Sequence, residues 1–539
     1  MREHVTLFGS GKKVHYLSHD FQNEVINAMA QLVRQFILDK VKEAKYFAIL
    51  ADCTRDISGI EQFSLALRFV DICTGDVEER FTDFLPVDKT TAQYLTETLI
   101  DKIKDLGLSL VDCRSQGYDN GANMRGHISG VQTRILNENP RAFFMPCNCH
   151  SLNLVESDAA SVNADVKLFF GFVQRIYTIF AASSHRWSIL LKHVNITLKP
   201  LSETRWEARV ESIKALKFQL PQILNALKEL KEIDDAALIS ECTSLEDRIE
   251  SYKFLLQINL WYAILSRINP VSKVWQSKNL NLDVAICHYE AFFSAIREMR
   301  DTGFEGLTSE TNGMAENLGV SHVFEEKQTR RRKKMFDYES EDQPILNPIQ
   351  KFRVNIFNNV IDTVILGLEW RFTGLKKFSE DFGFIYSMTE LSIDELKKHC
   401  MDLKILLTGS DDDDCDIDGI ALYEELLLFS KLMRKEAEEQ KTSITASFSL
   451  KYIIKNNLQE VYPNVYIALR IAATIPISEA TCERSFSYLK LIKSYLRSTM
   501  SQLRLSSLAL ISIEKNLLKL LDYADIIKRL SNLKARKHF

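Results

Sequence analysis

The chain has 539 residues and a formal net charge of −4, and its 46% hydrophobic and 26% charged residues are typical of a globular protein. Its 19 glycines and 10 prolines are few, which excludes collagen and Pro/Gly-rich disorder and favours a mostly helical fold. Because the net charge is close to neutral, any binding to nucleic acid has to come from local basic patches.

The cysteine pattern and the hydropathy indicate a reducing compartment. The 10 cysteines are scattered singly, apart from Cys147 and Cys149, so they do not form a disulfide framework. No run of about 18 uncharged apolar residues occurs, so we expect no membrane span. The first residues also lack the apolar core of a signal peptide.

The first elements in chain order are a helix and three strands. Residues 20–45 repeat apolar side chains at helical spacing. Residues 46–54 are a short apolar run typical of a strand buried on both faces, and residues 61–71 and 77–87 read as two further strands. The links between the three strands are short, which predicts an antiparallel meander.

Two helices then alternate with two more strands. Residues 90–107 and 123–138 are predicted to be helical, and residues 108–119 and 142–148 to be strands. The resulting order, β-β-β-α-β-α-β, is that of the ribonuclease-H-like fold. Right-handed crossovers would place the fourth strand beside the first. We therefore predict a mixed five-stranded sheet in an α/β core.

From residue 160 to about 455 the sequence has almost only helical periodicity. This stretch is too long to be a loop, so we predict that it forms a large all-helical insertion domain. Two charged segments inside it, near 305–347 and 409–418, are expected to be exposed or disordered loops. The basic run at 330–334 could be a nuclear-import signal, a phosphate-binding patch or a solvated loop. The predicted domains are an N-terminal helical segment (1–45), the first part of the core (46–160), the insertion (161–455) and the second part of the core (456–539).

Two aspartates could form a metal site. Asp52 ends the first predicted strand and Asp119 ends the fourth, so both carboxylates would emerge at adjacent strand ends. Two neighbouring carboxylates repel unless a cation lies between them, and Mg²⁺ is the hard cation that such a pair prefers. Taken singly, either residue could instead be an ordinary turn aspartate that bonds nearby backbone.

Glu483 is a third candidate carboxylate. On a helix, it lies one turn before Phe486, and with Leu489 and Leu496 these residues would form an inward stripe. A core-facing glutamate needs a partner. An ion pair with Arg484 is one alternative, and a metal shared with the two aspartates explains the inward position better.

Five segments together resemble the hAT family of DNA transposases and their domesticated relatives, particularly the zinc-finger MYM-type group. In chain order they are KEAKYFAILADCTRDISGIEQFSLALRFVD, SQGYDNGANMRG, PCNCHSLNLV, LSETRWEARVESIKAL and IPISEATCERSFSYLKLIKSYLRSTMSQLRLSSLALISIE. They cover about a third of the residues but span nearly the whole chain, and their order is more specific than any one of them.

The resemblance implies an acidic triad of Asp52, Asp119 and Glu483, which would hold two Mg²⁺ (or Mn²⁺) ions for DNA strand cleavage and joining. The residues that follow Asp52 are Cys53, Thr54 and Arg55, where the commoner pattern of the resembled group has Glu-Thr-Thr. An arginine at that place could pair with a carboxylate or with phosphate, which affects the expected metal geometry.

The resemblance also implies contacts with DNA. Arg205 and Trp206 match the family's Arg-Trp pair, whose tryptophan is expected to stack on a flipped base. Cys147 and His150 match a Cys-x-x-His pair. Two ligands and Cys149 do not complete a tetrahedral zinc site, so His150 is better interpreted as a structural residue or a DNA-backbone contact.

Two functions stay open at this stage. One is a transposon-derived enzyme, an Mg²⁺-dependent transposase or nuclease acting on transposon-end DNA. The other is a catalytically inactive domesticated regulator that retains the fold. For either we expect a nuclear homo-oligomer, joined through the C-terminal region, without a small-molecule substrate. No cysteine occurs in residues 1–45, so the zinc finger of longer relatives is expected to be lost or to lie on a missing segment.

Overall fold

The computed structural model describes residues 18–201, 206–233, 235–277, 280–322, 324, 347–388, 391–409, 414–522 and 524–528. They belong to two compact units. The first comprises the described parts of 1–150, 275–286 and 374–539, and the second those of 151–274 and 287–373. The predicted insertion, 161–455, contains all but the first ten residues of the second unit. It also contains residues 275–286 and 374–455, which belong to the first unit.

The first unit contains the predicted mixed five-stranded sheet. Its strands are β1 (Phe47–Arg55), β2 (Glu61–Val70), β3 (Val77–Val87), β4 (Cys113–Tyr118) and β5 (Phe143–Pro146). The spatial order is β3-β2-β1-β4-β5. Strand β2 pairs antiparallel with β1 and β3, whereas β4 pairs in parallel with β1 and β5. The predicted neighbours β1 and β4 are therefore confirmed.

Helices make up most of the described chain. In chain order they are α1 (His19–Ala44), α2 (Ala92–Asp105), α3 (Ala122–Arg125), α4 (Val131–Glu138), α5 (Asn148–Ala160), α6 (Ala164–Ala181), α7 (Ser184–His193), α8 (Trp206–Leu230), α9 (Ala236–Ile249), α10 (Tyr252–Trp275), α11 (Leu282–Leu318), α12 (Pro348–Phe352), α13 (Asn359–Arg371), α14 (Thr373–Phe382), α15 (Ile393–Leu406), α16 (Gly419–Gln440), α17 (Ala446–Lys455), α18 (Pro463–Thr474), α19 (Ala480–Ile492), α20 (Gln502–Ile513) and α21 (Lys515–Leu518). Short 3-10 turns occupy Leu110–Asp112, Gly383–Ile385 and Tyr495–Arg497, and a π-helical stretch occupies Arg353–Asn358.

Helices from both ends of the sequence complete the core of the first unit. Val33 and Ile37 of α1 lie in the same buried cluster as the strands, and so do Leu489 of α19 and Leu505 of α20. Burial of each of these large apolar side chains contributes about 1.5–3 kcal/mol. The C-terminal helices are therefore part of the sheet's core, which places α19 beside β1.

The described residues of the second unit form helices and connecting segments, without a strand. Its interior is rich in aromatic side chains: Phe169 and Phe170 of α6 contact Phe254 and Trp261 of α10, with ring centroids 4.7–5.3 Å apart. Such edge-on aromatic contacts add to the stabilisation from burial. Within the described residues, no helix of either unit is long and apolar enough to cross a membrane.

Two local predictions differ from the structure. The helix predicted over 123–138 is interrupted, because Gly126 and Gly130 approach so closely that a Cβ on Gly130 would lie 2.5 Å from the backbone of Gly126. Residues 305–318, predicted to lie in a charged loop, continue α11. Their helix is held by a buried stripe that includes Leu307 and Ala315.

The end of the acidic segment near 409–418 is fixed to the sheet unit. Asp416 forms an ion pair of 2.6 Å with Arg114, the second residue of β4, and Asp414 forms one of 2.6 Å with Arg141. Both arginines are buried, so they need these carboxylates. The basic run at 330–334 lies outside the described residues.

Candidate metal centre

The parallel pairing of β1 and β4 brings Asp52 and Asp119 to one edge of the sheet. Asp52 lies near the end of β1, and its Oδ1 accepts a hydrogen bond of 2.8 Å from the Cys53 amide. Asp119 follows β4, and its Oδ1 accepts one of 3.1 Å from the Gly121 amide. A Cβ on Gly121 would lie 3.0 Å from that same oxygen, so a larger residue at this position would push against the Asp119 carboxylate.

A cavity of about 200 Å³ opens at these two carboxylates. Besides Asp52 and Asp119, its walls include Cys53, Thr90 and Asn123. The volume exceeds the ~30 Å³ share of a single water in the liquid. It therefore has room for cations and part of a phosphate group.

Helix α19 brings Glu483 near enough for its charge to raise the pKa of Asp52, although Glu483 is not among the residues that line the cavity. The hydroxyls of Ser485 and Ser64 are 2.8 Å apart, which fixes the helix against β2, and Ser64 is directly opposite Asp52 in the sheet. Glu483 itself is exposed. The predicted inward stripe is therefore wrong at Glu483, and it is also wrong at Leu496, which is 93% exposed because α19 ends at Ile492.

The three predicted carboxylates interact electrostatically. Burial, and then the negative charges of Asp119 and Glu483, raise the pKa of Asp52 to about 8. At neutral pH, Asp52 therefore holds a proton in the absence of a counter-charge. A divalent cation would supply that charge, and an all-carboxylate donor set is the kind that Mg²⁺ prefers. These residues fit such an ion, and their assignment as its ligands stays a prediction.

Arg55, the residue that departs from the family pattern, is directed away from these carboxylates. It is exposed, and its Nε lies 4.0 Å from Glu61 Oε2 on the neighbouring strand. An exposed pair at this distance contributes little to stability.

Glu479 is a buried residue of this region that the sequence reasoning missed. One ligand atom from each of Cys147, Glu479 and Glu483 lies within 4.8 Å of the other two. Burial, together with the neighbouring Cys147, raises the pKa of Glu479 well above its usual value. Its spacing of four residues from Glu483 was the available signal, since residues i and i+4 share a helix face.

The residues predicted to contact DNA are only partly described. His150 is half-buried near the start of α5, and its amide donates a hydrogen bond of 3.3 Å to Cys147 Sγ. Arg205 lies outside the described residues. Trp206 begins α8, but its side chain is also outside the described part of the chain.

Comparisons with known proteins identify two regions. Residues 2–130 match the family described as "ZMYM1/FAM200, RNase-like domain", and residues 428–517 match the "hAT family C-terminal dimerisation region". Asp52 and Asp119 lie in the first region and Glu483 in the second. These matches confirm the resemblance that the sequence motifs indicated.

Two curated relatives align with most of this chain. The human "52 kDa repressor of the inhibitor of the protein kinase" is 21% identical over 521 residues, which are 92% of this chain and 65% of that protein. The mouse protein of the same name is 22% identical over 523 residues, which are 92% of this chain and 66% of that protein. The chain thus spans slightly less than two thirds of the length of these relatives.

Proposed function

We propose that this chain, which carries an RNase-like region and a hAT-family dimerisation region, is a transposon-derived, hAT-type transposase-like protein. Its activity would be DNA strand cleavage and joining by metal-dependent phosphoryl transfer in a ribonuclease-H-like core. The supporting observation is the electrostatic coupling of Asp52 to Asp119 and Glu483, which come from three separate elements. Such a perturbed carboxylate in a cavity is typical of functional sites.

Asp52, Asp119 and Glu483 would hold Mg²⁺ or Mn²⁺, with two ions expected. When bound, such ions activate the attacking oxygen and stabilise the leaving oxygen. The amides of Cys53 and Gly121 orient the two aspartates through their hydrogen bonds. This orientation sets the positions of the carboxylates before DNA arrives, which lowers the cost of assembling the site.

The proposed partner is duplex DNA with transposon ends, and the proposed location is the nucleus. Trp206 would stack on an unpaired base, a contact worth about 1–3 kcal/mol. Arg205 and His150 would contact the phosphate backbone, which positions DNA without reading its sequence. The basic run at 330–334 would serve nuclear import.

The C-terminal region would join two copies of the chain. Within this region, residues 491–503 expose four large apolar side chains between 62% and 93%: Leu491, Tyr495, Leu496 and Leu503. The turn between β1 and β2 lies beside them, because the Ser58 hydroxyl donates a hydrogen bond of 2.7 Å to the Ser498 carbonyl. Exposed apolar side chains grouped in this way are typical of a protein interface. We call these four residues the C-terminal apolar surface.

A second candidate is a non-catalytic, domesticated regulator that dimerises in the nucleus. The two curated relatives are named as repressors, which favours this function. The departure of Cys53, Thr54 and Arg55 from the family pattern also favours it. The two candidates share the fold and the dimer, and they differ in whether the carboxylates perform chemistry.

Cleavage of DNA by the purified chain separates the candidates. We expect Mn²⁺ or Mg²⁺ to support nicking of supercoiled plasmid and of DNA with candidate transposon ends. Asp119→Asn should lower the rate at least about 100-fold, because the loss of one metal ligand removes several kcal/mol of transition-state stabilisation. The matched control is Asp101→Asn, which changes an exposed carboxylate on α2.

The outcomes are distinct. Cleavage that Asp119→Asn abolishes and Asp101→Asn preserves supports the enzyme. Cleavage that survives Asp119→Asn points to a contaminating nuclease and argues against a catalytic triad. A folded dimer without activity on any DNA favours the regulator.

A further inference from the structure

A thiol-containing cluster lies beside the predicted Mg²⁺ ligands. Cys147 directly precedes α5, Glu479 is the N-cap of α19, and Glu483 lies in the first turn of α19. We propose that Cys147, Glu479 and Glu483 bind a single thiophilic divalent cation, Zn²⁺. This proposal stands whether or not the chain cleaves DNA.

The geometry is close to that of a zinc site. The three ligand atoms lie within 4.8 Å of one another. In a tetrahedral site with Zn–S of about 2.3 Å and Zn–O of about 2.1 Å, ligand atoms are about 3.5 Å apart. The side chains therefore need to close by no more than roughly 1.3 Å, which small side-chain rotations can provide.

Glu479 contributes a buried oxygen atom that is unsatisfied among the described residues. The residue is only 1% exposed, and its Oε2 has no hydrogen-bond partner. A buried polar atom in that state destabilises the fold, because it has given up its hydrogen bonds to water. A cation bound to that oxygen would offset this loss.

Burial, together with the neighbouring Cys149, raises the pKa of the Cys147 thiol well above its usual value, so a bound metal has to displace the thiol proton. The thiol is 1% exposed, and its Sγ accepts the His150 amide at 3.3 Å, at the N-terminal end of α5. The positive end of a helix stabilises a thiolate. The competing explanation is that protons, rather than a metal, neutralise the thiol and both carboxyl groups.

The donor set selects the metal. A thiolate ligand favours Zn²⁺ over Mg²⁺, and carboxylate oxygens complete zinc sites at normal distances. Three protein ligands leave a fourth position for water or another ligand. Because Glu483 also belongs to the predicted triad, Zn²⁺ here would compete with Mg²⁺ for that residue.

Titration of the metal-stripped full chain with Co²⁺, a coloured substitute for Zn²⁺, tests the proposal. We expect the near-ultraviolet charge-transfer band of a cobalt–thiolate bond, saturating at one equivalent and displaced by Zn²⁺. Cys147→Ser should abolish the band. Glu479→Gln, which keeps the side-chain shape, should weaken Co²⁺ binding at least about tenfold.

Two controls distinguish this site from others. Cys73→Ser changes an exposed thiol and should leave the band unchanged. Asp119→Asn removes a predicted Mg²⁺ ligand and should also leave it unchanged. The proposal is overturned if the folded wild-type chain gives no band, if the band survives Cys147→Ser, or if Asp119→Asn abolishes it. Should Cys147→Ser fail to fold, the tenfold effect of Glu479→Gln decides.

Discussion

Replacing Asp52 by asparagine should stabilise the metal-free chain at neutral and alkaline pH. Burial and the charges of Asp119 and Glu483 raise the pKa of Asp52 to about 8, against about 3.9 in an unfolded chain. The folded state therefore binds the Asp52 proton more tightly than the unfolded state. The stability that this proton supplies is complete at low pH, and it is lost as the pH rises from about 4 to about 8.

The size of the effect follows from that interval. At pH 7 the solution is about three units above the unfolded pKa and still below the folded pKa. With about 1.36 kcal/mol per unit, ionisation of Asp52 in the unfolded chain, while the folded chain keeps the proton, lowers the free energy of unfolding by about 4 kcal/mol between pH 4 and pH 7. Asp52→Asn has no proton to lose at this position. The difference in the free energy of unfolding between Asp52→Asn and the wild type should therefore increase by about 4 kcal/mol from pH 4 to pH 7.

Hydrogen exchange of the β1 and β4 amides, measured in chelator from about pH 4 to about pH 9, reads the opening of the sheet unit directly. Asp101→Asn, the exposed control on α2, should show no gain in stability over the wild type as the pH rises. Mg²⁺ should stabilise the wild type more than Asp52→Asn, because the ion replaces the proton. A difference between Asp52→Asn and wild type that is constant with pH would refute the electrostatic coupling.

Three further changes test the fold and the dimer. Lys493 Nζ lies 2.6 Å from a carboxylate oxygen of the buried Asp56. Lys493→Met leaves that carboxylate without its counter-charge, so it should destabilise the sheet unit by roughly 3–5 kcal/mol in urea unfolding. Leu496→Ser should shift the chain from dimer to monomer in analytical ultracentrifugation, whereas Ile405→Ser, at a position 72% exposed outside the matched dimerisation region, should not. Gly117→Ala should cost about 1–3 kcal/mol in thermal unfolding, since its methyl group would lie 2.8 Å from a proline side chain.

The sequence predicted the sheet well because its strands are locally encoded. Residues 46–51 are continuously apolar, and their strand, β1, is buried through Ala51. Short links determined the antiparallel pairs, and the handedness of crossovers determined that β4 lies beside β1. The positions of Asp52 and Asp119 at one edge follow from these rules alone.

Local composition misled the prediction where tertiary contacts dominate. Residues 305–318 have the polarity of a loop, yet a buried stripe that includes Leu307 holds them in α11. The acidic segment near 409–418 also resembles a solvated loop, but Asp416 neutralises the buried Arg114. In both cases the partners are distant in sequence, so no local pattern reveals them.

The sequence by itself determined the order of the strands, the two aspartates at one edge and the resemblance that selected Glu483. Only the tertiary structure decided which glutamate of α19 is buried. Glu479 lies inside beside Cys147, and Glu483 lies at the surface. A difference of four residues leaves both on one helix face, so their burial depends on where α19 meets the sheet and the start of α5. That meeting joins segments more than 300 residues apart, and burial is a property of the packed core rather than of the local sequence.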